Sequence, residues 1–218
     1  MFRRRRREEP EQVAEEAAAP QTRESGPWDA EEAHPEADRV DLGGLRLTVS
    51  PDLDVQLAVA GDQPVGVIVL YQESALQLHA FAAPKRSGLW DDVRTKLAAG
   101  VKDAGGTTEE RQGPFGTELF GQVPGDGGTP QPVRYLGIDG PRWFLRAVIS
   151  GRAALDETIA ARLEEVIGDV VVVRGEEPMA PEEAIVLRLP SEARAAGADD
   201  EGPKLNPFKR GPEISELR

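Results

Sequence analysis

The sequence predicts a single α+β domain in which a mainly antiparallel sheet packs against two amphipathic helices, with a disordered tail at each end. In the middle of the chain, short segments carry apolar residues at every second position, which is typical of strands. Two other segments carry them every three or four positions, which is typical of helices. The strand segments come in runs rather than in strict strand and helix alternation. This order favours an antiparallel sheet covered by helices.

Composition divides the 218 residues into three parts. Residues 1–38 are dominated by Arg, Glu, Asp, Ala and Pro, and they contain too few large apolar side chains to offset the entropy of ordering. Residues 191–218 return to a similar composition. We therefore expect disordered tails over 1–38 and 191–218 around one α+β domain over 39–190, which is long enough to form a hydrophobic core.

The first half of the domain is predicted to contain a hairpin, three strands and a helix. RVDLGGLRLTVSP forms the hairpin with its turn at Gly43-Gly44, and LDVQLAV, VGVIVLYQ and SALQLHAFAAP alternate as strands. VGVIVLYQ is apolar on both faces, so we expect a central strand there. Between Ser87 and Gly105 the period becomes helical, with Ser87 as the expected N-cap and Gly105 as the stop.

The second half is predicted to contain two strand pairs, a helix and two short strands. TTEERQGPFGTELFGQVP turns at Pro114, and VRYLGID is joined to RWFLRAVIS by a DGP turn. The acidic residues Asp156 and Glu157 favour a helix start, and Gly168 is the expected stop. VVVV follows as a short buried strand. AIVLRLP is expected as the last strand, with these side chains inward: Ile185, Leu187 and Leu189.

Overall composition excludes several classes of protein. The chain has 39 acidic and 26 basic residues, and its net charge of -13 disfavours general nucleic-acid binding. Because there is no cysteine, disulfides and thiolate metal sites are excluded. Apolar runs are shorter than the ~20 residues that cross a bilayer, and the basic start leads into acidic residues rather than an apolar signal sequence. We expect a cytoplasmic protein without a transmembrane segment.

The domain contains no set of residues with a catalytic, cofactor or metal signature. His79 is its single histidine, because His34 falls in the N-terminal tail, and no Ser or Asp pattern around His79 suggests a catalytic triad. One imidazole without thiols makes no zinc site. The loop GDGGTP lacks the Lys-Ser/Thr of a phosphate loop. We therefore expect no catalytic residue, no cofactor and no metal.

Three arginines lie on the predicted hairpin around the DGP turn: Arg134, Arg142 and Arg146. If they share one sheet surface, they form a cationic patch that is able to hold an acidic segment. Ordinary pairing with the abundant carboxylates of the chain is the alternative.

The tails carry the residues that we expect to contact partners. A C-terminal segment over 204–218 contains apolar side chains in an otherwise polar tail. Such a segment can dock as an added strand or short helix, on its own domain or on a partner protein, and plain disorder is the third alternative. The N-terminal arginine block suits weak contact with an anionic membrane surface or RNA. The predicted contact residues are Trp28, Leu205, Pro207, Phe208, Ile214 and Leu217, and the basic block is Arg3, Arg4, Arg5, Arg6 and Arg7.

These observations favour a non-enzymatic protein-interaction or adaptor module in the cytoplasm. A first alternative is peripheral membrane or RNA association through the arginine block. A second alternative is an enzyme or small-ligand binder that uses carboxylates and His79 in a cleft of the sheet face, and it requires these groups to converge in one pocket.

Four segments of the chain resemble those of a known family: GPWD, RVDLGGLRL, DGPRWFLRAVISG and LNPFKRGPEISELR. The family is actinobacterial and is known only as a domain of unknown function. The resemblance covers the predicted domain and roughly the last fifteen residues. It implies a cytoplasmic protein of actinobacterial origin, and it implies no activity and no site residues.

Overall fold

The computed structural model describes residues 25–85, 88–125 and 128–189, and this part of the chain contains eleven strands and two α-helices. The strands are β1 Trp28–Asp29, β2 Arg39–Asp41, β3 Leu45–Thr48, β4 Asp54–Ala60, β5 Gln63–Tyr71, β6 Ser74–Ala82, β7 Thr107–Gly113, β8 Gly116–Pro124, β9 Pro130–Gly140, β10 Trp143–Gly151 and β11 Val171–Val172. The helices are α1 Leu89–Asp103 and α2 Glu157–Asp169. The predicted α+β class, with a large antiparallel sheet and two helices, is confirmed. Both outer parts of the tails lie outside the described residues.

Seven strands form one antiparallel sheet in the order β4-β5-β6-β10-β9-β8-β7. The middle strand β10 pairs along its length with β6 on one side and with β9 on the other. Successive side chains of a strand point to opposite faces. We call the face that carries Leu145, Ala147 and Ile149 the α2 face, and the face that carries Phe144 and Arg146 the α1 face.

The hydrophobic core lies on the α2 face. There α2 packs with a second, four-stranded sheet in the order β1-β11-β3-β2, and its buried side chains include Leu163 and Ile167. The small sheet contributes Leu45 and Leu47, which alternate with partly buried residues, and this alternation agrees with the sequence prediction. Ile185 is also buried in this core, because the chain after α2 returns along the end of β6.

The domain begins earlier than composition predicts. Trp28 lies in β1, which pairs in parallel with β11, and its side chain is 7% exposed. Trp28 is therefore a core residue rather than part of a disordered tail, and its role as a partner contact stays a prediction. Apolar content is low over residues 25–38, but one large indole in a groove of the small sheet is enough to hold the start of the domain.

Two local expectations differ from the structure, and a third lies outside the described residues. Residue Gly168 does not end α2, which continues to Asp169, whereas Gly105 has the left-handed φ of 84° expected after α1. Leu189 is 52% exposed rather than inward, and its segment makes a single bridge instead of a full strand. The expected cap Ser87 lies outside the described residues. In the structure, Asp139 of β9 accepts hydrogen bonds from the first backbone N–H groups of α1.

Within the described ranges, no helix is long and apolar enough to cross a membrane.

A buried hydrogen bond joins the start of the domain to the central strand. The indole Nε1–H of Trp143 donates to Oδ2 of Asp29 over 2.6 Å, and both residues are buried. The same carboxylate accepts from the backbone N–H of Glu31 through its other oxygen. Asp29 is therefore the polar anchor of β1.

We expect Asp29→Ala to lower the free energy of unfolding by about 2 kcal/mol, because it leaves a buried indole donor without this acceptor. Urea unfolding measures the change. Asp29→Asn keeps an amide oxygen at the same position and should lose less than half as much. Equal losses in the two variants would contradict this role of the hydrogen bond.

Candidate functional site

The α1 face of the large sheet is covered on one side only. Helix α1 packs against β7, β8 and β9, and no described helix packs against this face over β4, β5 and β6. The side chains that remain partly or fully exposed there form what we call the open half: Gln56, Ile68, Leu70, Gln77 and Val148. This mixed apolar and polar surface is available for contact with another molecule.

A row of four rings marks the border between the covered side and the open half. Trp90 of α1 stacks on Phe144, Phe144 on Phe81, and Phe81 on His79, with ring centroids 6.1, 6.2 and 6.4 Å apart. The Trp90 indole lies directly on Gly137 of β9, where an added Cβ would come within 2.2 Å of it. Glycine at this position is therefore required for α1 to approach the sheet.

Arg146 lies beside this aromatic row. Its register partners are His79 on β6 and Gly137 on β9, and its guanidinium carbon is 5.2 Å from the Phe81 ring centroid, a cation–π distance. Its Nε is buried without a hydrogen-bond partner among the described residues. Burial lowers the pKa of Arg146 from its ordinary value. This cation is held away from water.

The other arginines of the described chain give a contrast. Seven of them form ion pairs with carboxylates, whereas no described carboxylate forms one with Arg146. Those seven are Arg39, Arg46, Arg94, Arg111, Arg134, Arg152 and Arg162. Within the described chain, Arg142 and Arg188 also lack an ion pair, but both are exposed. Arg174 is half-buried without an ion pair to a described residue and also has a buried Nε without an acceptor, but it donates to the backbone carbonyls of Gly175 and Glu177. Among the half-buried arginines of the described chain, Arg146 therefore differs in having neither a carboxylate partner nor a side-chain hydrogen bond.

His79 is a neutral imidazole at neutral pH. Burial is the larger cause and the charge of Arg146 the smaller one, and together they lower the pKa of His79 from 6.5 to about 4. Its ring lies on the backbone of β5, where an added Cβ at Gly66 would come within 2.7 Å of it. Its Nδ1 is buried without a partner in the described chain. Tyr135 lies nearby on β9, and burial raises its pKa.

A separate acidic depression lies at the far end of the sheet. It is shallow, has a volume of about 570 Å³ and is open to solvent, and its lining residues include Asp52, Asp54, Glu73 and Tyr71. Asp52 pairs with Arg162, whose hydrogen bond is the main cause that holds the pKa of Asp52 well below its usual range. His79 does not line this depression. The structure therefore does not bring the carboxylates and His79 into one cleft, as the hypothesis of an enzyme requires.

The turn that borders this depression has an unusual backbone. Gln72 and Glu73 link β5 to β6 with φ angles of 43° and 58°, a region that favours glycine or asparagine. Such a conformation in two successive side-chain-bearing residues costs conformational energy that the surrounding sheet must supply.

The three hairpin arginines do not share a surface. Arg134 lies on the α2 face, where its guanidinium bonds Glu118 at 2.8 Å and Glu164 at 2.7 Å. Arg142 lies in the turn between β9 and β10 with a φ of 61°. The prediction of a cationic patch of three arginines is therefore wrong, because Arg134 and Arg146 point to opposite faces of the sheet and Arg142 lies in a turn. The alternative, ordinary pairing with carboxylates, is what the structure shows for Arg134.

The predicted tail contacts lie outside the described residues. They comprise the C-terminal residues Leu205, Pro207, Phe208, Ile214 and Leu217 and the N-terminal block from Arg3 to Arg7.

Residue spacing in the sequence predicts part of the aromatic row, but not that its two halves lie side by side. Alternation places His79 and Phe81 on one face of β6, and Phe144 and Arg146 on one face of β10. Only the pairing of β6 with β10 brings these two sets together. The strands are more than sixty residues apart in the chain, and no local pattern specifies that pairing.

The two edges of the large sheet differ in chemistry. The edge strand β7 carries the charged residues Glu109, Glu110 and Arg111, and α1 packs beside it. The other edge strand, β4, has neither charge nor proline from residue 55 to residue 60, and Val59 is 64% exposed. A shift in register between Ala58 and Val59 is the one irregularity of its pairing with β5.

The model of one protein family matches residues 26–196, and its description is Protein of unknown function (DUF3710). The match covers more than half of the chain and begins two residues before Trp28. It confirms the resemblance to a domain of unknown function. No curated protein and no solved structure matches the chain.

We expect Gly137→Ala to destabilise the domain and to displace Trp90, because a methyl group and the indole cannot occupy the same space. Urea unfolding and tryptophan fluorescence report the two effects. Gly100→Ala is the matched control, since a Cβ there meets no atom within 4 Å and the residue lies inside α1. It should stabilise by about 0.5 to 1 kcal/mol. Similar effects of the two variants would contradict the packing described.

We expect His79 to lower stability in mildly acidic solution. Its pKa is about 4 in the folded protein and 6.5 as the ordinary value, so the unfolded chain binds more protons between these limits. Stability should therefore fall as the pH drops from about 6.5 to about 4, by up to ~3 kcal/mol from this group. The measurement is the difference in unfolding free energy between wild type and His79→Gln at pH 7 and pH 4. A difference that does not change with pH would exclude the depressed pKa.

Proposed function

The chain belongs to the family described as Protein of unknown function (DUF3710), and we propose that it is a protein-interaction module that binds an extended segment of a partner at the edge strand β4. One observation carries this proposal. The outer edge of β4 is unpaired in the described chain, and after Asp54 its residues 55–60 lack the charges and prolines that usually block such an edge.

Unpaired backbone N–H and C=O groups are a template for a further strand. Proteins usually protect exposed edges with lysine, proline, short strands or a covering element. Strand β7 shows such protection, with its charged side chains and the adjacent α1. Strand β4 shows a register shift after Ala58 and no other protective device. Added strands gain affinity from main-chain hydrogen bonds.

The surroundings of β4 indicate the kind of segment that fits. The open half adjoins β4 on the α1 face and offers apolar contact to alternate side chains of an added strand, with Ile68 opposite Gln56. The acidic depression lies at the Asp54 end of the strand. A partner segment with alternating apolar residues and a lysine or arginine at that end complements both surfaces.

A second copy of the chain is a poorer occupant of the same edge. Antiparallel pairing of β4 with itself places the Asp54 end of one copy against the Asp62 end of the other. The like charges would repel, in addition to the repulsion between two chains of net charge -13. The proposed occupant is therefore a segment of a different protein.

The proposal moves the adaptor role from the tails to the folded domain. Contact through residues 204–218, weak membrane or RNA contact through Arg3 to Arg7, a cytoplasmic location and an actinobacterial origin stay predictions from sequence. The enzyme hypothesis needs carboxylates and His79 in one cleft. Among the described residues, the acidic depression contains carboxylates but is not lined by His79.

We expect the double variant Gln56→Lys, Ala58→Lys to lose partner binding, because an approaching strand must desolvate two new charges at the edge. Affinity capture from the native cell extract with quantitative mass spectrometry identifies proteins whose recovery falls about tenfold or more, ~1.4 kcal/mol in binding. Each such protein is then purified with the full chain for hydrogen exchange, where amide protection should appear in β4.

The matched control is Thr107→Lys, Gln112→Lys on the opposite edge strand β7. It adds the same charge at two exposed positions and should leave the recovery of the partner unchanged. If both double variants lose the partner equally, or if protection in the complex falls outside β4 and the open half, the proposal is wrong.

A further inference from the structure

We infer that Arg146, with Phe81, Tyr135 and His79 around it, is a recognition site for an oxyanion, a carboxylate or phosphate group carried by a ligand. The inference rests on the pairing and burial of these side chains. It does not depend on the proposed addition of a strand at β4, although both surfaces adjoin the open half.

The half-buried guanidinium of Arg146 is energetically unfavourable without an acceptor or an opposite charge. Taking a guanidinium out of water is unfavourable unless an opposite charge or hydrogen-bond acceptors replace the water. Arg134 meets this requirement on the α2 face with two carboxylates, Glu118 and Glu164. Arg146 has the Phe81 ring and a buried Nε without an acceptor in the described chain. The buried Nε is not open to a ligand, but an external oxyanion that reaches the guanidinium from its partly exposed side supplies the opposite charge that Arg134 obtains internally.

The carboxylates around α1, the helix that borders the aromatic row, are engaged with other groups. Asp139 accepts from the N-terminal backbone of α1. Asp91 and Glu110 both pair with Arg94 at 2.8 Å. Glu182 pairs with Lys96 at 3.0 Å. These acids surround α1 without pairing with Arg146, so the arrangement keeps its guanidinium available.

The chemistry of Arg146 and its neighbours suits an oxyanion. A guanidinium presents planar donors that match the two oxygens of a carboxylate or phosphate, and the Phe81 ring keeps the fork in one orientation. The neutral His79 ring has one N–H to donate, and burial keeps the Tyr135 hydroxyl protonated as a further donor. The site therefore offers one positive charge and several donors, and no described anion competes for them.

Access comes from the open half. Arg146, His79 and Tyr135 are each partly exposed, whereas Phe144 and the α1 residue Trp90 behind them are buried. Arg146 does not line the acidic depression at the Asp54 end of β4. The oxyanion therefore enters at the sheet surface, while the body of its carrier lies over Gln77 and Val148.

The experiment is a nuclear magnetic resonance titration of the full chain that follows the Arg146 Nε–H and the His79 ring. Three probes are compared at constant ionic strength with chloride: acetate, inorganic phosphate and a hexaglutamate peptide. We expect saturable shifts at both groups with at least one probe. A bound anion should also raise the pKa of His79 above about 4, because it offsets the charge of Arg146.

The probes separate the sources of the oxyanion. Tighter binding of hexaglutamate than of acetate indicates an acidic protein segment, and tighter binding of phosphate indicates a phosphorylated carrier. Either result supports the site. Chemical shifts that change linearly with the concentration of every probe, without saturation, overturn it. This test needs only the wild-type protein.

Arg146→Gln should weaken binding about tenfold to hundredfold, the range typical of a lost hydrogen bond to a charged group. Arg188→Gln removes the same charge from an exposed position and should bind as the wild type does. Equal weakening in both variants, or unchanged binding in Arg146→Gln, overturns the proposal. Partner capture at β4 and oxyanion binding at Arg146 are measured with different variants, so failure of one proposal leaves the other distinguishable.

Discussion

The whole domain depends on the burial of both faces of β10. Because this strand is the middle one of seven, its backbone groups are paired on both sides and its side chains must satisfy two different environments. Leu145, Ala147 and Ile149 fill the core under α2, whereas Phe144 is buried by α1. Arg146 is the exception to this apolar pattern. A charged residue in the central strand is costly in stability, which is why its partner matters for function.

Local patterns predicted the elements better than their arrangement. Alternation located the strands around His79 and Arg146, and the four-residue period located α1, because both signals arise from burial of one face. Strand order is set by contacts between distant segments. The edge position of β4 and the opposite directions of Arg134 and Arg146 therefore could not be predicted from local sequence patterns. Trp28 was misassigned for the same reason: its burial depends on β11, more than 140 residues later.

Each of the two candidate surfaces has polar groups that lack a binding partner within the described chain. At β4 the backbone lacks a neighbouring strand, and at Arg146 the side chain lacks an anion, each within the described chain. The sequence supplies abundant carboxylates, yet those around α1 pair with other groups. Both surfaces open on the same half of one sheet face. A single partner with an extended segment and an acidic group would satisfy both at once.

The attachment of β1 affects the order in which the domain is made. Trp28 pairs with Val171, and Asp29 bonds Trp143, which lies 114 residues away in sequence. During translation, β1 emerges from the ribosome before Trp143 and Val171 have been synthesised. The small sheet therefore closes only after translation has passed β11, and loop closure of this length slows folding relative to a fold with local contacts. Until then the indole of Trp28 is exposed, and a nascent chain needs protection at its beginning rather than at its end.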